Sequence, residues 1–307
     1  MSYLHDPADA LPAETSQLWE HNARWWQEAF TEGADPEYEE QIVPMLEAEL
    51  ARLRPSCLLD IGCGEGQLCR VAARVGAEGA PVGAGAAGLG AGTVPLRVVG
   101  LDPTLAQLEV AAQRQVPGLP VGLVRGEAAS LPFPDGCFDV ALACLVFEHI
   151  EGADQAISEV GRVLRPGGAF LLFLNHPLLQ APGSGWVDDQ ILGEQYWRIG
   201  PYLVEHHSVE EVAKDVWIPF VHRPLSSYLN AMAAAGLYVT AMHEPAPPGG
   251  FLARAGEYAE AAAFPRLAFL RAEKLAVPDR SAPPPRGVAR PTGAGGPWAA
   301  PTGPGPQ

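Results

Sequence analysis

Short apolar runs recur along most of the chain, separated by turn residues and by amphipathic segments. Runs of roughly 4–8 apolar residues bounded by glycine, proline or aspartate are typical of strands. We predict strands at seven of them: Cys57–Ile61, Arg97–Leu101, Val121–Arg125, Phe138–Ala143, Ala169–Asn175, Tyr238–His243 and Leu267–Ala272. A tight turn at Arg165–Gly168 is predicted to lead into the fifth strand.

Segments with helical spacing lie between these runs and before the first of them. They predict helices at Ser16–Ala29, Pro36–Arg52, Gln67–Val75, Leu105–Gln113, Asp154–Val163 and Leu225–Ala235. Strands that alternate with helices form a doubly wound, mostly parallel sheet with helices on both faces. We therefore predict an α/β, Rossmann-like fold, in which ligands bind beyond the carboxyl ends of the strands.

Four segments depart from this alternation. Residues 1–55 precede the sheet and are helical, with Trp19 and Trp26 on one face, either as a lid or as ordinary packing. Residues 76–95 are rich in Gly and Ala and indicate a surface insertion, and residues 277–307 are rich in Pro and Gly and indicate a disordered tail. Residues 175–223 are rich in Trp, Tyr and His and show no clear period.

Composition narrows the choice of partners. A net charge of −16 without any basic cluster would repel phosphate backbones, so we expect no nucleic-acid partner. The five cysteines include no CxxC pair, and we predict no metal site. Without an export signal or a membrane-length apolar run, we expect a cytoplasmic protein that does not interact with membranes.

The segment CLLDIGCGEGQLCR, Cys57–Arg70, places a glycine turn between the first strand and the following helix. A P-loop requires Gly-Lys-Ser/Thr at the end of the turn, where this chain has Gly66, Gln67 and Leu68. The dinucleotide fingerprint GxGxxG requires glycine where Gln67 stands. The glycines alone therefore favour neither class of phosphate ligand.

Asp60, at the end of the first strand, favours a cationic ligand. Two like charges about 4 Å apart repel by roughly 4 kcal/mol at an effective dielectric of about 20, so a pyrophosphate over this turn is disfavoured. S-adenosylmethionine carries a sulfonium and an ammonium that a carboxylate attracts. We predict that it binds at Asp60, with Gly62, Gly64 and Gly66 allowing close backbone approach.

A nucleoside ribose also requires an acceptor at the end of the second strand, about 20 residues after the glycines. Asp102 stands in that place, 38 residues after Gly64. Removing the 19 residues of 77–95 leaves a gap of 19, which restores the expected spacing. We therefore predict that Asp102 binds the ribose and that the Gly/Ala-rich segment is an insertion.

In order, the stretches LLDIGCGEGQL, VVGLDPT, RGEAASLPFPDGCFDVALACLVFEHI and EVGRVLRPGGAFLLFLNH resemble motifs of class I S-adenosylmethionine-dependent methyltransferases. The resemblance is to the small-molecule, type 11-like branch, including uncharacterised actinobacterial members, and covers roughly residues 56–173. It implies a methyltransferase domain over 56–275, with seven strands of which the last is antiparallel. It also implies that Glu127 and Ala128 meet the adenine and that Cys144 lies near the methionine moiety.

Two histidines are candidates for a general base. His149 follows the fourth strand, where Glu148 is expected to orient it, and His176 follows the fifth strand. The alternative for both is a structural role as loop or helix caps. A metal-binding ExxEH motif is not present, because Leu145 stands in place of its first glutamate.

The resemblance implies in-line methyl transfer to O, N or C of a small-molecule acceptor. We expect residues 175–223 to cover that acceptor, because aromatic side chains interleaved with ionisable ones suit a mid-sized organic molecule. Arg223 is a candidate partner for an acceptor carboxylate or for a surface acid. The alternatives are an RNA or protein methyltransferase, and a non-catalytic partner subunit that binds S-adenosylmethionine.

Overall fold

The computed structural model describes residues 15–78, 96–254 and 260–275, and the bounds below refer to these residues. Its strands are β1 (Cys57–Ile61), β2 (Arg97–Asp102), β3 (Val121–Arg125), β4 (Phe138–Cys144), β5 (Leu164–Asn175), β6 (Gly185–Asp189), β7 (Glu194–Arg198), β8 (His206–Ala213), β9 (Val216–His222), β10 (Leu237–His243) and β11 (Leu267–Lys274). All seven predicted strands are present, within a few residues of the predicted bounds.

The helices of the described residues are α1 (Thr15–Phe30), α2 (Val43–Leu53), α3 (Gln67–Glu78), α4 (Leu105–Gln113), α5 (Ala153–Val163), α6 (Pro177–Gln180), α7 (Leu225–Ala234) and α8 (Gly249–Arg254). The helix predicted over Pro36–Arg52 is divided, because a π-helical turn at Tyr38–Ile42 leads into α2. A 3₁₀ turn, Phe147–His149, follows β4.

Seven of the strands form one sheet in the order β10-β11-β5-β4-β1-β2-β3. β1 pairs in parallel with both β2 and β4, whereas β11 pairs antiparallel with β5 and β10. The predicted seven-stranded sheet with an antiparallel last strand is therefore confirmed. The strand order reverses at β1, which opens a crevice between the carboxyl ends of β1 and β4.

Apolar side chains cover both faces of this sheet. On one face Leu59 and Ile61 of β1 pack in a cluster with Ile157 of α5 and Met232 of α7. On the other face Leu58 packs in a second cluster with side chains of α2 and α3. β1 is buried along its whole length, which explains why its sequence reads as a continuous apolar run interrupted only by Asp60.

The turn predicted at Arg165–Gly168 lies within β5 as an irregularity. Leu164 pairs with Phe138, and the pairing resumes at Ala169 with Val140. Gly167 supplies the positive φ that the bulging backbone requires.

Residues 175–223 contain two antiparallel hairpins that the sequence did not predict, β6–β7 and β8–β9. Most residues of β7 and β8 are exposed on both faces of their hairpins. Strands without a buried face carry no alternation of apolar and polar residues, so the sequence offered no signal for β7 and β8, whereas β9 is mostly buried but does not alternate.

Two predicted segments cannot be compared with the structure. Most of the Gly/Ala-rich insertion, residues 79–95, and the whole Pro/Gly-rich tail, residues 277–307, lie outside the described residues. Among the helices that are described, none is both long enough and apolar enough to cross a bilayer.

Candidate functional site

A cavity of about 560 Å³ opens at the carboxyl ends of β1, β2 and β4. This is the place where open α/β sheets bind ligands, and the volume is typical of a site for a small molecule. Its walls include the glycine turn after β1, the loop after β2, the segment after β4 and one face of α1.

The glycine turn adopts a backbone that side chains would disturb. Gly62, Gly64 and Gly66 all have positive φ angles, between 53° and 81°. A Cβ atom on Gly62 would lie 2.4 Å from Cγ2 of Val146, so that residue must be glycine for the turn to pack against the segment after β4. Gly62 and Gly64 line the cavity, whereas Gly66 lies beneath it, where the turn leads into α3.

Asp60 forms part of the cavity floor and is 2% exposed. Its Oδ2 atom accepts a hydrogen bond from the Cys69 thiol at 3.2 Å. Burial raises the pKa of this carboxyl to about 7, and no lysine or arginine is among the described residues that line the cavity. A buried carboxylate without a cationic partner is costly, so the site gains most from a ligand that brings positive charge.

Asp102 closes the next strand end and is also buried. Its Oδ2 atom accepts the backbone N–H of Gly64, and its Oδ1 atom accepts that of Thr104, both at 2.8 Å. Burial raises the pKa of Asp102 more than these hydrogen bonds lower it. Because each carboxylate oxygen can accept a second hydrogen bond, Asp102 both braces the turn and can accept from ligand hydroxyls.

The other residues expected at the donor come together in the same cavity. Glu127 and Ala128 line it beyond β3, and Cys144 lines it at the end of β4. Tyr38 also lines it, with its hydroxyl oxygen 3.8 Å from Sγ of Cys144. Burial raises the pKa of both groups far above their usual values, so both are neutral here.

A second acid of the turn, Glu65, is equally buried but forms ion pairs with two arginines. One of its oxygens accepts from Arg70 at 2.9 Å, and the other lies 3.0 Å from a guanidinium nitrogen of Arg114. These two arginines satisfy Glu65 within the protein. Glu65 therefore links the turn to α3 and α4 and does not demand a charged ligand.

One face of α1 covers the cavity. Trp19 and Trp26 both line it, with ring centroids 5.5 Å apart in an edge-to-face contact. Gln27 donates to the side-chain oxygen of Gln107 at 2.9 Å, which fastens α1 to α4. Of residues 1–55, α1 is thus the part placed to act as the predicted lid, and the lid function itself stays a prediction.

His149 lies on the cavity wall and is buried. Its Nδ1 atom is 2.7 Å from the carbonyl oxygen of Pro219 in β9, and the rings of Trp19 and Phe220 flank it at 4.9 and 4.8 Å. A carbonyl only accepts, so Nδ1 carries the proton. Burial lowers the pKa of His149 to about 4, so the ring is neutral and Nε2 carries a lone pair, although the same burial makes it a weaker base than an exposed imidazole.

Glu148 does not orient His149, contrary to the expectation from the sequence. Its Oε1 atom accepts from the backbone N–H and the side-chain amide of Asn175, at 3.1 and 2.9 Å. Burial raises the pKa of Glu148 to about 7. Adjacent residues in this turn point in different directions, and Glu148 joins the ends of β4 and β5 instead.

The structure does not bring His176 to the cavity. Its Nδ1 atom accepts the backbone N–H of Leu178 at 3.1 Å and caps α6, and its Nε2 atom lies 2.7 Å from Oε1 of Glu244. Both ring nitrogens are engaged, and the residue is not among those lining the cavity. The capping alternative describes His176 better than the catalytic one.

No described residue of 175–223 lines this cavity, and the expectation that the segment covers the acceptor stays a prediction. The segment contacts the walls of the cavity at His149, through Pro219 and Phe220, and at Glu151, through Arg223. Arg223 is 6% exposed and binds Glu205 and the carbonyl oxygens of Phe147 and Glu151. Among the described residues, no group of three or more His, Cys, Asp or Glu could hold a metal ion.

Sequence reasoning missed several cavity residues, among them Thr31, Gln107 and Glu151. None stands in a recognisable motif, and each reaches the cavity only because its helix or loop packs there. Val146 was also missed, although a close neighbour was implied by the requirement for glycine at Gly62.

Residues 59–172 match the model of a methyltransferase domain family. A ubiquinone biosynthesis O-methyltransferase of Mesorhizobium japonicum is 31% identical over 140 residues, covering 45% of this chain and 47% of that protein. A malonyl-[acyl-carrier protein] O-methyltransferase of Pseudescherichia vulneris is 31% identical over 129 residues, covering 42% of this chain and 43% of that protein. The matched regions span about half the length of these curated relatives.

The similarity to a solved structure extends further. An S-adenosylmethionine-dependent methyltransferase from Mesorhizobium loti superimposes with a TM-score of 0.60 at 26% identity, covering 78% of this chain and 98% of that one. The region that matches the family model, residues 59–172, includes the glycine turn, both acids at the strand ends and His149. The described fold and residues 59–172 are therefore those of a class I S-adenosylmethionine-dependent methyltransferase domain, a family whose methyl donor is S-adenosylmethionine.

Proposed function

We propose that this protein transfers a methyl group from S-adenosylmethionine to an oxygen or nitrogen of a small-molecule acceptor, with His149 as the general base. The observation that carries the proposal is the pairing, in one cavity, of an uncompensated buried carboxylate with a histidine whose Nε2 is unprotonated. Asp60 suits the cationic donor, and His149 suits an acceptor that must lose a proton. Transfer to carbon is a third possibility, and it also releases one proton, from the attacked carbon or from a hydroxyl that activates it.

The residues around the donor divide its recognition among them. Asp60 would attract the ammonium, Asp102 would accept from the ribose hydroxyls, and Glu127 would accept from the adenine amine. The open space beside Gly64 leaves room for the ligand next to β1. When bound, S-adenosylmethionine supplies an electrophilic methyl group on a sulfonium, a good leaving group.

His149 would complete the proton balance of the transfer. As the acceptor atom forms its bond to the methyl carbon, the carbon–sulfur bond breaks and its electron pair stays on sulfur. The proton of the acceptor's O–H or N–H passes to Nε2 of His149. A base within hydrogen-bond reach of the reacting group typically contributes about 10²–10⁴-fold to the rate.

Two features support a small acceptor. The cavity is partly closed by Trp19 and Trp26, which exclude water and present flat apolar faces to an organic molecule. A relative named for ubiquinone biosynthesis is similar to 45% of this chain. The net charge of −16 disfavours an RNA substrate.

The test combines donor binding with a transfer assay. Calorimetry with S-adenosylhomocysteine measures the donor site, and radiolabelled S-adenosylmethionine measures transfer over a panel of phenols, amines and hydroxylated quinones. Transfer that His149→Gln abolishes without weakening donor binding supports the proposal. Donor binding with no transfer on any acceptor favours a non-catalytic partner subunit, and label incorporated only into RNA or protein favours the other alternative.

A further inference from the structure

One strand outside the main sheet holds the segment that carries His149. β9 and the residue that follows it touch residues 147–151 in three places: the Pro219 carbonyl at the imidazole, the Phe220 ring beside it, and the Arg223 guanidinium below it. The sequence separation between His149 and Pro219 is 70 residues. These contacts are how the 175–223 segment reaches the active cavity.

The Pro219 carbonyl selects the tautomer of His149. A neutral imidazole carries one proton, and it can reside on either nitrogen. The carbonyl oxygen, 2.7 Å away, accepts only from Nδ1–H, so it stabilises the form with Nε2 unprotonated. In the other tautomer Nδ1 and the carbonyl would oppose each other as two acceptors, and Nε2 could no longer take a proton.

Arg223 fixes the backbone on both sides of His149. One guanidinium nitrogen donates to the carbonyl oxygen of Phe147 at 3.4 Å, and the other donates to that of Glu151. The side chain is 6% exposed, and its Nε lies 3.5 Å from the half-exposed Glu205. The planar fork of arginine can hold two carbonyls at once, which a lysine cannot do in the same geometry.

These contacts are connected through the chain. Arg223 follows Pro219 by four residues, so the same short stretch carries the acceptor for Nδ1 and the donors for the flanking carbonyls. If Arg223 releases residues 147–151, the His149 ring is free to move relative to the Pro219 carbonyl. Arg223 itself does not line the cavity, and it does not contact the donor residues Asp60 and Asp102.

We propose that Arg223 is a positioning residue for methyl transfer, which holds His149 against the Pro219 carbonyl so that Nε2 stays unprotonated. This inference rests on the proposed role of His149 as the base. It assigns the hairpin β8–β9 to the alignment of that base and not to contact with the acceptor.

The test reads the tautomer of His149 directly, without an acceptor. Long-range ¹H–¹⁵N spectra of histidine-labelled protein distinguish Nδ1–H, Nε2–H and charged rings, and His149→Gln assigns the signal. The variants are Arg223→Met, which removes the donors at similar volume, and Arg223→Lys, which keeps the charge. His222→Gln is the matched control, since His222 is the neighbouring buried residue and binds the Tyr202 carbonyl, not residues 147–151.

We expect a single neutral Nδ1–H form for the wild type and for His222→Gln at neutral pH. Arg223→Met should lose this single form and show a mixture of tautomers, with Arg223→Lys between the two. An unchanged His149 spectrum in Arg223→Met would overturn the inference, whatever the activity. Full restoration by lysine would also overturn it, because it would reduce Arg223 to a partner for Glu205.

Activity on an acceptor found in the transfer assay separates this inference from the proposed function. Arg223→Met should lower kcat by about 10- to 100-fold, the cost of a misplaced catalytic group, with donor affinity unchanged. A tautomer mixture with unchanged kcat would keep Arg223 as the residue that fixes the tautomer of His149, but would remove His149 as the base and with it the part of Arg223 in methyl transfer.

Discussion

β4 and β5 are neighbours in the sheet, and the segment after each strand carries a buried histidine. The two histidines differ in their hydrogen bonds. After β4, His149 has one nitrogen on the Pro219 carbonyl and no hydrogen bond to the other from the described residues. After β5, His176 has Nδ1 on a backbone amide and Nε2 on Glu244. Burial and residue type are the same, so what separates them is whether an atom is left for a ligand.

The two acids of the glycine turn repeat this contrast. Glu65 is neutralised by Arg70 and Arg114, whereas Asp60 is left with a thiol and a raised pKa. A residue whose polar atoms are all engaged contributes to the structure, and one left partly unengaged at a cavity is available for binding or catalysis.

The largest effect is expected from replacing the partly unengaged histidine. His149→Gln should lower kcat by roughly 10²–10⁴-fold because the acceptor loses its base, and donor affinity should change little. Steady-state kinetics and calorimetry on the same preparation would measure both. His176→Gln is the matched control and should keep kcat within a few-fold of the wild type. An equal loss of kcat in His149→Gln and His176→Gln would show that the two histidines do not differ in function.

The next effect concerns the donor. Asp102→Ala should weaken S-adenosylhomocysteine binding by about 10- to 100-fold, since a charged hydrogen-bond pair contributes roughly 1.5–3 kcal/mol. Because Asp102 also braces Gly64 and Thr104, Asp102→Asn is the milder companion variant. Unchanged affinity in Asp102→Ala would refute the assignment of this residue to the ribose.

Asp60 should give the donor site a pH dependence. Its pKa of about 7 in the free protein means that part of the population is protonated at neutral pH, and a cationic ligand binds the ionised form. Affinity should therefore fall by up to about tenfold per pH unit below pH ~7 and level off above it.

Asp60→Asn should remove the fall in donor affinity below pH ~7. Glu148→Gln is the control, because burial also raises the pKa of Glu148 to about 7 but its carboxyl does not line the cavity. A slope that survives in Asp60→Asn, or that vanishes in Glu148→Gln, would show that a different group controls donor binding.

The smallest effect is on stability. His176→Gln removes the cap of α6 and should lower the free energy of unfolding by about 1 kcal/mol, the usual value of a helix cap. Chemical denaturation would measure it. A His176→Gln variant as stable as the wild type, with impaired transfer, would restore His176 as a catalytic candidate.

The central sheet was predictable because each of its parts leaves a local signature. β1, β4 and β5 are buried on both faces over most of their length and read as apolar runs, and the glycine turn is forced by positive φ angles. Asp60 and Asp102 could be found for the same reason, since the end of a strand fixes where they lie. The donor half of the site was therefore accessible from sequence.

The half of the site around His149 could not be predicted from the sequence, because its contacts join segments that are distant along the chain. The partner of His149 is a backbone carbonyl, which no residue type reveals, and Arg223 binds carbonyls too. β8 has too few buried residues to show a period, and β9, which carries Pro219, is mostly buried but does not alternate. Glu148 and His176 were assigned by proximity to strand ends, which does not determine what their side chains bind.

A crystal structure with S-adenosylhomocysteine tests the central claim most directly. We expect the ammonium within ion-pair distance of Asp60, the ribose hydroxyls on Asp102, and the sulfur facing open space bordered by Nε2 of His149. A ligand seated with its ammonium away from Asp60, or with its sulfur turned from His149, would contradict this account.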